Sequence, residues 1–162
     1  MIIKKISFLA ASIISLLILQ FCFLNNSNSE ENNSKYYSND NGILSLMYHR
    51  FNENKYPSTN IRMEIFKKQI EMISDLNYEF YDPKFFVEDF HNPKDKKKIL
   101  ITIDDGFKSF YTEAWPYLKE NEIPFILFVS TEPVGNKGYM NWSQIKEVEN
   151  ENFAIIGHHS HS

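Results

Sequence analysis

Residues 98–111 read KILITIDDGFKSFY, and this stretch decides the fold. Three lysines at 96–98 are followed by residues 99–103, a short, continuous and mostly β-branched run that is typical of a strand buried on both faces. The run stops at Asp104 and Asp105, and helix-spaced aromatic residues follow them. Ligands bind at the carboxyl ends of strands in α/β sheets, so the two carboxylates stand where chemistry is expected.

Two structural explanations compete for the aspartate pair. An Asp-Gly hairpin turn would need a partner strand, but residues 108–120 have helical spacing. A helix N-cap would explain one aspartate and leave the other unexplained. Two like charges in a site of low dielectric are costly unless they share a cation or one of them is protonated. This electrostatic cost is offset if one aspartate binds a metal ion and the other acts as a general base.

The amino-acid composition limits the classes of protein to which this chain can belong. The 162 residues suffice for one domain, and 15% are aromatic, which supplies a core. The net charge of −4, without a large basic patch, does not suggest a nucleic-acid partner. The one cysteine, Cys22, lies in an apolar N-terminal run. A disulfide within one chain and a cysteine-based zinc site are therefore excluded.

The N-terminus has the charge and hydropathy pattern expected of an export signal. Lys4 and Lys5 precede residues 6–24, which contain no charged side chain and whose length lies between that of a secretory segment and that of a spanning helix. We predict a signal peptide or an uncleaved signal anchor at residues 1–24, with the bulk of the chain outside the cytoplasm. A buried core helix is the alternative. Residues 25–42, rich in Asn, Ser and Glu, are predicted to be a disordered linker.

From residue 43 onwards, apolar runs alternate with amphipathic segments. Strands are expected at 43–47, 78–81, 99–103, 125–129 and 153–156, and helices at 63–76, 113–120 and 143–150. Ser143 is predicted to cap the last helix, and residues 95–98 to form a solvated turn. Buried strands joined by helical crossovers predict an α/β fold with a parallel sheet.

Histidines accompany the ends of two predicted strands. His49 follows the first strand and is either a pocket residue or a packed imidazole. His158, His159 and His161 follow the last strand, on the face expected to carry the aspartates. A polar surface tail is the alternative for this cluster. Imidazole and carboxylate together suit zinc and related divalent ions, with a second carboxylate free to accept a proton from water.

The same segments resemble a known family. ITIDDG at 101–106 resembles the T-F-D-D-G motif of the NodB-homology polysaccharide deacetylases (carbohydrate esterase family 4), with Ile103 in place of Phe. IGHHS at 156–160 resembles the second motif of that family, LMYHR at 46–50 resembles its opening strand, and Asn141-Trp142 resembles a segment before the second-motif strand. The likeness covers about residues 43–162.

The resemblance implies a role for individual residues. Asp104 would be the general base, and Asp105 and His159 would bind a divalent metal ion, with zinc the expected one. The third ligand would stand four residues after His159, beyond Ser162. His158 and His161 fall out of register with the motif and are interpreted as neighbours. His49 is a candidate substrate-binding residue.

The resemblance also implies the reaction and the fold. The family hydrolyses N-acetyl groups of amino sugars in a polysaccharide or oligosaccharide, and its fold is a distorted (β/α) barrel. Residues 43–162 would supply the first half of that barrel, without the later motifs that provide the acid and the acetyl pocket. We therefore expect this chain to be a fragment of a longer protein or the product of a truncated reading frame, and by itself to bind metal weakly and to have no useful deacetylase activity. An inactive carbohydrate-binding relic and a different metal-dependent amidohydrolase are the alternatives.

Overall fold

The computed structural model describes residues 42–91 and 97–161. The predicted signal segment at 1–24 lies outside the described residues, as does the predicted linker except for Gly42, which begins the first strand. The turn predicted at 95–98 is wrong where the structure describes it, because Lys97 and Lys98 belong to a strand.

Strands and helices alternate along the described residues. The strands are β1 (Gly42–Tyr48), β2 (Arg50–Phe51), β3 (Asn60–Ile61), β4 (Glu79–Phe80), β5 (Lys97–Asp105), β6 (Phe125–Ser130) and β7 (Ala154–Ser160). The helices are α1 (Met63–Asp75), α2 (Phe86–His91), α3 (Trp115–Glu120) and α4 (Trp142–Glu149), with a 3-10 turn at Pro83–Phe85 and a π-helical turn at Phe110–Ala114. None of the helices in residues 42–91 and 97–161 has the length and apolar character needed to cross a membrane.

The main sheet is parallel, as the sequence predicts. Its strands run in the order β1-β5-β6-β7, and the short strand β4 also pairs with β5. β5 is the central element: β1 pairs along most of its length, whereas β4 pairs near its start and β6 along its second half. β2 and β3 form a separate parallel pair, which the sequence analysis missed.

Burial explains why β5 organises the fold. Ile101 and Ile103 are completely buried, together with Phe125 and Leu127 of β6. The amphipathic helix α1 adds Phe66, Ile70 and Ile73 to the same core, at the spacing that the sequence predicts. In each strand the buried side chains are two residues apart, and the three side chains of α1 lie on one face of the helix.

The helix after β5 is not a regular α-helix throughout. A π-helical turn at Phe110–Ala114 precedes α3, which carries Pro116 in its first turn. Proline has no N–H to donate, so a regular α-helical ladder cannot continue through Pro116, whereas the first turn of a helix tolerates it.

Two sequence predictions near the carboxyl end of the chain are wrong. Asn141, not Ser143, caps α4: its side chain accepts a hydrogen bond from Gln144 N at 2.9 Å, and Gln144 Oε1 accepts one from Asn141 N at 3.0 Å. The last strand does not end at Ile156, because β7 continues to Ser160. Strand pairing uses backbone groups, so the polar histidine segment can extend the ladder.

Candidate active site

The sheet register brings the aspartates and the histidine segment to one edge. Asp104 pairs with Phe128 of β6, which in turn pairs with Gly157 of β7. One residue further on, Asp105, Val129 and His158 form the next row. Residues more than fifty positions apart in sequence therefore lie at the carboxyl ends of parallel strands, where ligands bind in α/β sheets.

A β-bulge places His159 next to both aspartates. Val129 pairs with His158, but Ser130 pairs with Ser160, so His159 is the extra residue of β7. Bulges re-aim side chains at functional edges. The Nε2 atom of His159 lies 3.5 Å from Asp104 Oδ2, and its Nδ1 atom lies 3.9 Å from Asp105 Oδ1.

The other two histidines of the segment have different surroundings. His158 remains in the β6–β7 ladder and is exposed. The Nδ1 atom of His161 is hydrogen-bonded to Thr131 Oγ1 at 3.0 Å. His159 is thus the histidine of this segment that contacts the aspartate pair.

A left-handed turn follows the strand at once. Asp105 and Gly106 both have φ of 71°. Aspartate is among the few non-glycine residues that adopt this conformation readily, and glycine adopts it without steric cost. The turn is anchored by Met140 N, which donates to Gly106 O at 2.9 Å. The chain can therefore leave β5 immediately after presenting two adjacent carboxylates.

The Asp104 carboxyl is buried. The residue is only 7% exposed, and within the described residues its Oδ1 atom is buried without a hydrogen-bond partner. Burial raises the pKa of the Asp104 carboxyl. His49 and His159 oppose that shift and Asp105 adds to it, and the net direction is upward. A raised pKa increases the affinity of the carboxylate for a proton.

His49 lies close enough to Asp104 to act on its charge. It follows β1 directly and is half-buried. It also lines a shallow pocket of about 310 Å³ with Ser58, Thr59, Asn60 and Ile61. His49 therefore both lines this pocket and acts on the charge of Asp104.

The sequence analysis missed Ser130, the last residue of β6. Its hydroxyl is buried and donates to Asp105 Oδ1 at 3.2 Å. The available signal was a single hydroxyl residue placed directly after the apolar run 125–129. Because serine is common after strands, Ser130 could be recognised as a site residue only once the alignment of β6 with β5 was known.

Two side chains of the site are of the types that bind a divalent metal ion. Asp105 offers carboxylate oxygens and His159 offers an imidazole nitrogen, the ligand types that zinc accepts. In the part of the chain that the structure describes, no group of three histidine, cysteine or acidic side chains is close enough together to hold an ion. The buried Asp104 oxygen without a partner is likewise the feature expected where a ligand completes the site.

Comparison with known proteins identifies the fold and its relatives. Residues 91–162 match the family model for polysaccharide deacetylases. The chain is 28% identical over 131 residues to the poly-β-1,6-N-acetyl-D-glucosamine N-deacetylase of Staphylococcus epidermidis, covering 72% of this chain and 45% of the relative. It is 27% identical over 117 residues to the Bacillus subtilis protein YxkH, covering 70% of this chain and 40% of that protein.

A solved structure has a fold similar to that of this chain. The structure of IcaB from Ammonifex degensii superposes with a TM-score of 0.67 and 31% sequence identity, over 74% of this chain and 53% of that one. The chain thus spans less than half of these curated relatives and about half of the solved structure.

Proposed function

We propose that the chain belongs to the polysaccharide deacetylase family and that its complete gene product hydrolyses N-acetyl groups on the amino sugars of a glycan. The observation that carries this proposal is the Asp104 carboxylate, buried and without a hydrogen-bond partner for Oδ1 in the described residues, next to Asp105 and His159. Such an arrangement supplies a base beside two donors for a metal ion.

The reaction consumes one water molecule. The water oxygen bonds to the acetamide carbonyl carbon, the bond between that carbon and the sugar nitrogen breaks, and acetate and a free amine result. Asp104 accepts the proton that the attacking water loses, because its buried oxygen is free to accept one and its pKa is raised. The leaving amine gains a proton in the same process.

Asp105 and His159 would hold a divalent ion, with zinc the expected one. Such an ion, when bound, lowers the pKa of a water molecule towards about 7 and polarises a carbonyl oxygen. The division of roles between two adjacent aspartates is supported by their different surroundings. Asp104 is buried, whereas Asp105 is more exposed and hydrogen-bonded by Ser130. A ligand needs access to the ion, and a base needs an elevated pKa.

The substrate is an N-acetylglucosamine polymer. The Staphylococcus epidermidis relative is named for poly-β-1,6-N-acetyl-D-glucosamine, which makes oligomers of that linkage the first choice to test. His49 would contact the sugar, since it lines a pocket and its charge acts on Asp104. The pocket volume of about 310 Å³ is comparable with small-molecule sites.

The protein is exported in this proposal, where a glycan substrate would be found. Lys4, Lys5 and the uncharged residues 6–24 support a signal peptide or membrane anchor, and the polar residues 25–42 support a linker before the catalytic domain.

Acetate release tests the proposal. The complete gene product, loaded with zinc, is incubated with β-1,6-linked and β-1,4-linked N-acetylglucosamine oligomers, and free acetate is measured with and without a chelator. Release that stops on chelation and in the Asp104→Asn variant supports the proposal. If zinc-loaded protein releases no acetate from either oligomer or from peptidoglycan fragments, the deacetylase assignment is wrong.

A further inference from the structure

A line of hydroxyl contacts joins β5, β6 and β7 next to the aspartate pair. Ser130 Oγ at the end of β6 lies 3.2 Å from Asp105 Oδ1 of β5 and 3.3 Å from Ser160 Oγ of β7. Ser160 Oγ lies 3.5 Å from His159 Nδ1. Ser130 is only 6% exposed, so the protein, rather than bulk solvent, determines the partners of its hydroxyl.

We propose that Ser130 is a positioning residue that fixes the Asp105 carboxylate for metal binding. This inference rests on the proposed function, in which Asp105 is a metal ligand. The residues around a metal ligand orient it by hydrogen bonding, and their loss typically weakens metal affinity. Ser130 would do so without touching the ion.

Counting protons gives the direction of the two bonds of Ser130 Oγ. A hydroxyl has one proton, and an ionised carboxylate can only accept. The Ser130 proton therefore goes to Asp105 Oδ1, and the bond between the two serines requires Ser160 to donate to Ser130 Oγ. Ser160 Oγ also lies 3.5 Å from His159 Nδ1, a contact whose direction depends on the histidine tautomer.

Asp105 needs this support because the strand does not provide it. The residue adopts a left-handed conformation at the end of β5, where regular pairing stops and the direction of the side chain is no longer set by the pleat. A hydroxyl from the neighbouring strand restrains one carboxylate oxygen instead.

The β-bulge sets the positions of Ser160 and His159. Because His159 is the extra residue, Ser160 rather than His159 pairs with Ser130. The bulge therefore delivers a hydroxyl to Ser130 and an imidazole to the aspartate pair from two adjacent residues. An unbulged ladder would have set His159 opposite Ser130.

Zinc affinity of the complete gene product tests the role of Ser130. The protein is stripped of metal, and its dissociation constant for zinc is measured by competition with a chromophoric chelator for wild type, Ser130→Ala, Asp105→Asn and Thr131→Val. Ser130→Ala is expected to bind zinc about 10- to 100-fold more weakly. Thr131→Val is the matched control, because it removes the next hydroxyl along the chain, which bonds to His161 instead of Asp105, and it should bind zinc like wild type.

The outcomes separate this inference from the proposed function. If Asp105→Asn binds zinc weakly while Ser130→Ala binds like wild type, the role of Ser130 is refuted and the metal site stands. If Thr131→Val loses as much affinity as Ser130→Ala, the effect is a general disturbance of the strand ends and the inference is also refuted. If wild type binds no zinc, the proposed metal site falls and the inference falls with it. Thermal unfolding of the metal-free variants checks that each one folds.

Discussion

Gly157 lies in β7 beside the ring of Phe128, and replacing it with alanine should destabilise the fold. A Cβ atom at position 157 would lie 2.6 Å from Phe128 Cδ1, 2.7 Å from Phe128 Cε1 and 3.4 Å from Ile126 Cγ2. Carbon atoms pack best at about 3.5–4.0 Å, so the new methyl group overlaps the ring edge by about 1 Å. Either the ring turns away or the strands move apart, and overpacking of this kind costs about 1–3 kcal/mol.

Urea unfolding of the complete gene product measures this cost, and a double-mutant cycle identifies its source. Gly157→Ala is made in wild type and in a Phe128→Ala background, where the clashing ring is absent. The substitution should cost about 1–3 kcal/mol in wild type and almost nothing beside Phe128→Ala, because adjacent residues couple by amounts of this size. An equal cost in both backgrounds would refute the steric explanation and indicate a backbone effect at Gly157.

Two further predictions concern the α4 cap and the buried aspartate. Asn141→Ala should lower the free energy of unfolding by about 1 kcal/mol, because it removes the acceptor of the Gln144 N–H, whereas Ser143→Ala should change little. Equal losses in the two variants, measured by urea unfolding, would contradict the assignment of the cap. Asp104→Asn should stabilise the metal-free protein at neutral pH and leave it unchanged in acid, where the carboxyl is protonated in both the folded and the unfolded state. Burial raises the pKa of Asp104 in the folded state, so above about pH 4 the unfolded chain releases this proton first and wild-type stability falls until the pH passes the raised pKa. Parallel stability–pH curves for wild type and Asp104→Asn would contradict this explanation.

Local sequence patterns determine much of the fold. The run 99–103 predicts a buried strand because every residue in it is compatible with two covered faces, and β5 contains it. Phe66, Ile70 and Ile73 predict the buried face of α1 because a helix repeats every 3.6 residues. The alternation of such segments also predicts the parallel sheet, since a parallel pair needs a long crossover.

Features that depend on pairing between strands could not be predicted in this way. The bulge at His159 exists because the register of β6 against β7 changes after Val129, and no residue near His159 encodes that change by itself. Ser130 acquires its partner Asp105 through the same alignment. The prediction of Ser143 as the cap of α4 was wrong for a different reason: asparagine and serine both cap helices, and it is Asn141 that has the extended backbone of a cap, with ψ of 169°.

The separate roles of Asp104 and Asp105 are the central claim, and one paired measurement tests them most directly. Zinc content and acetate release from an N-acetylglucosamine oligomer are determined on the same preparations of the complete gene product as wild type, Asp104→Asn and Asp105→Asn. We expect Asp104→Asn to retain zinc while acetate release falls about 10²- to 10⁴-fold, the usual contribution of a general base. Asp105→Asn should lose both zinc and acetate release. Loss of zinc from Asp104→Asn, or normal acetate release by it, would contradict the assignment of the base.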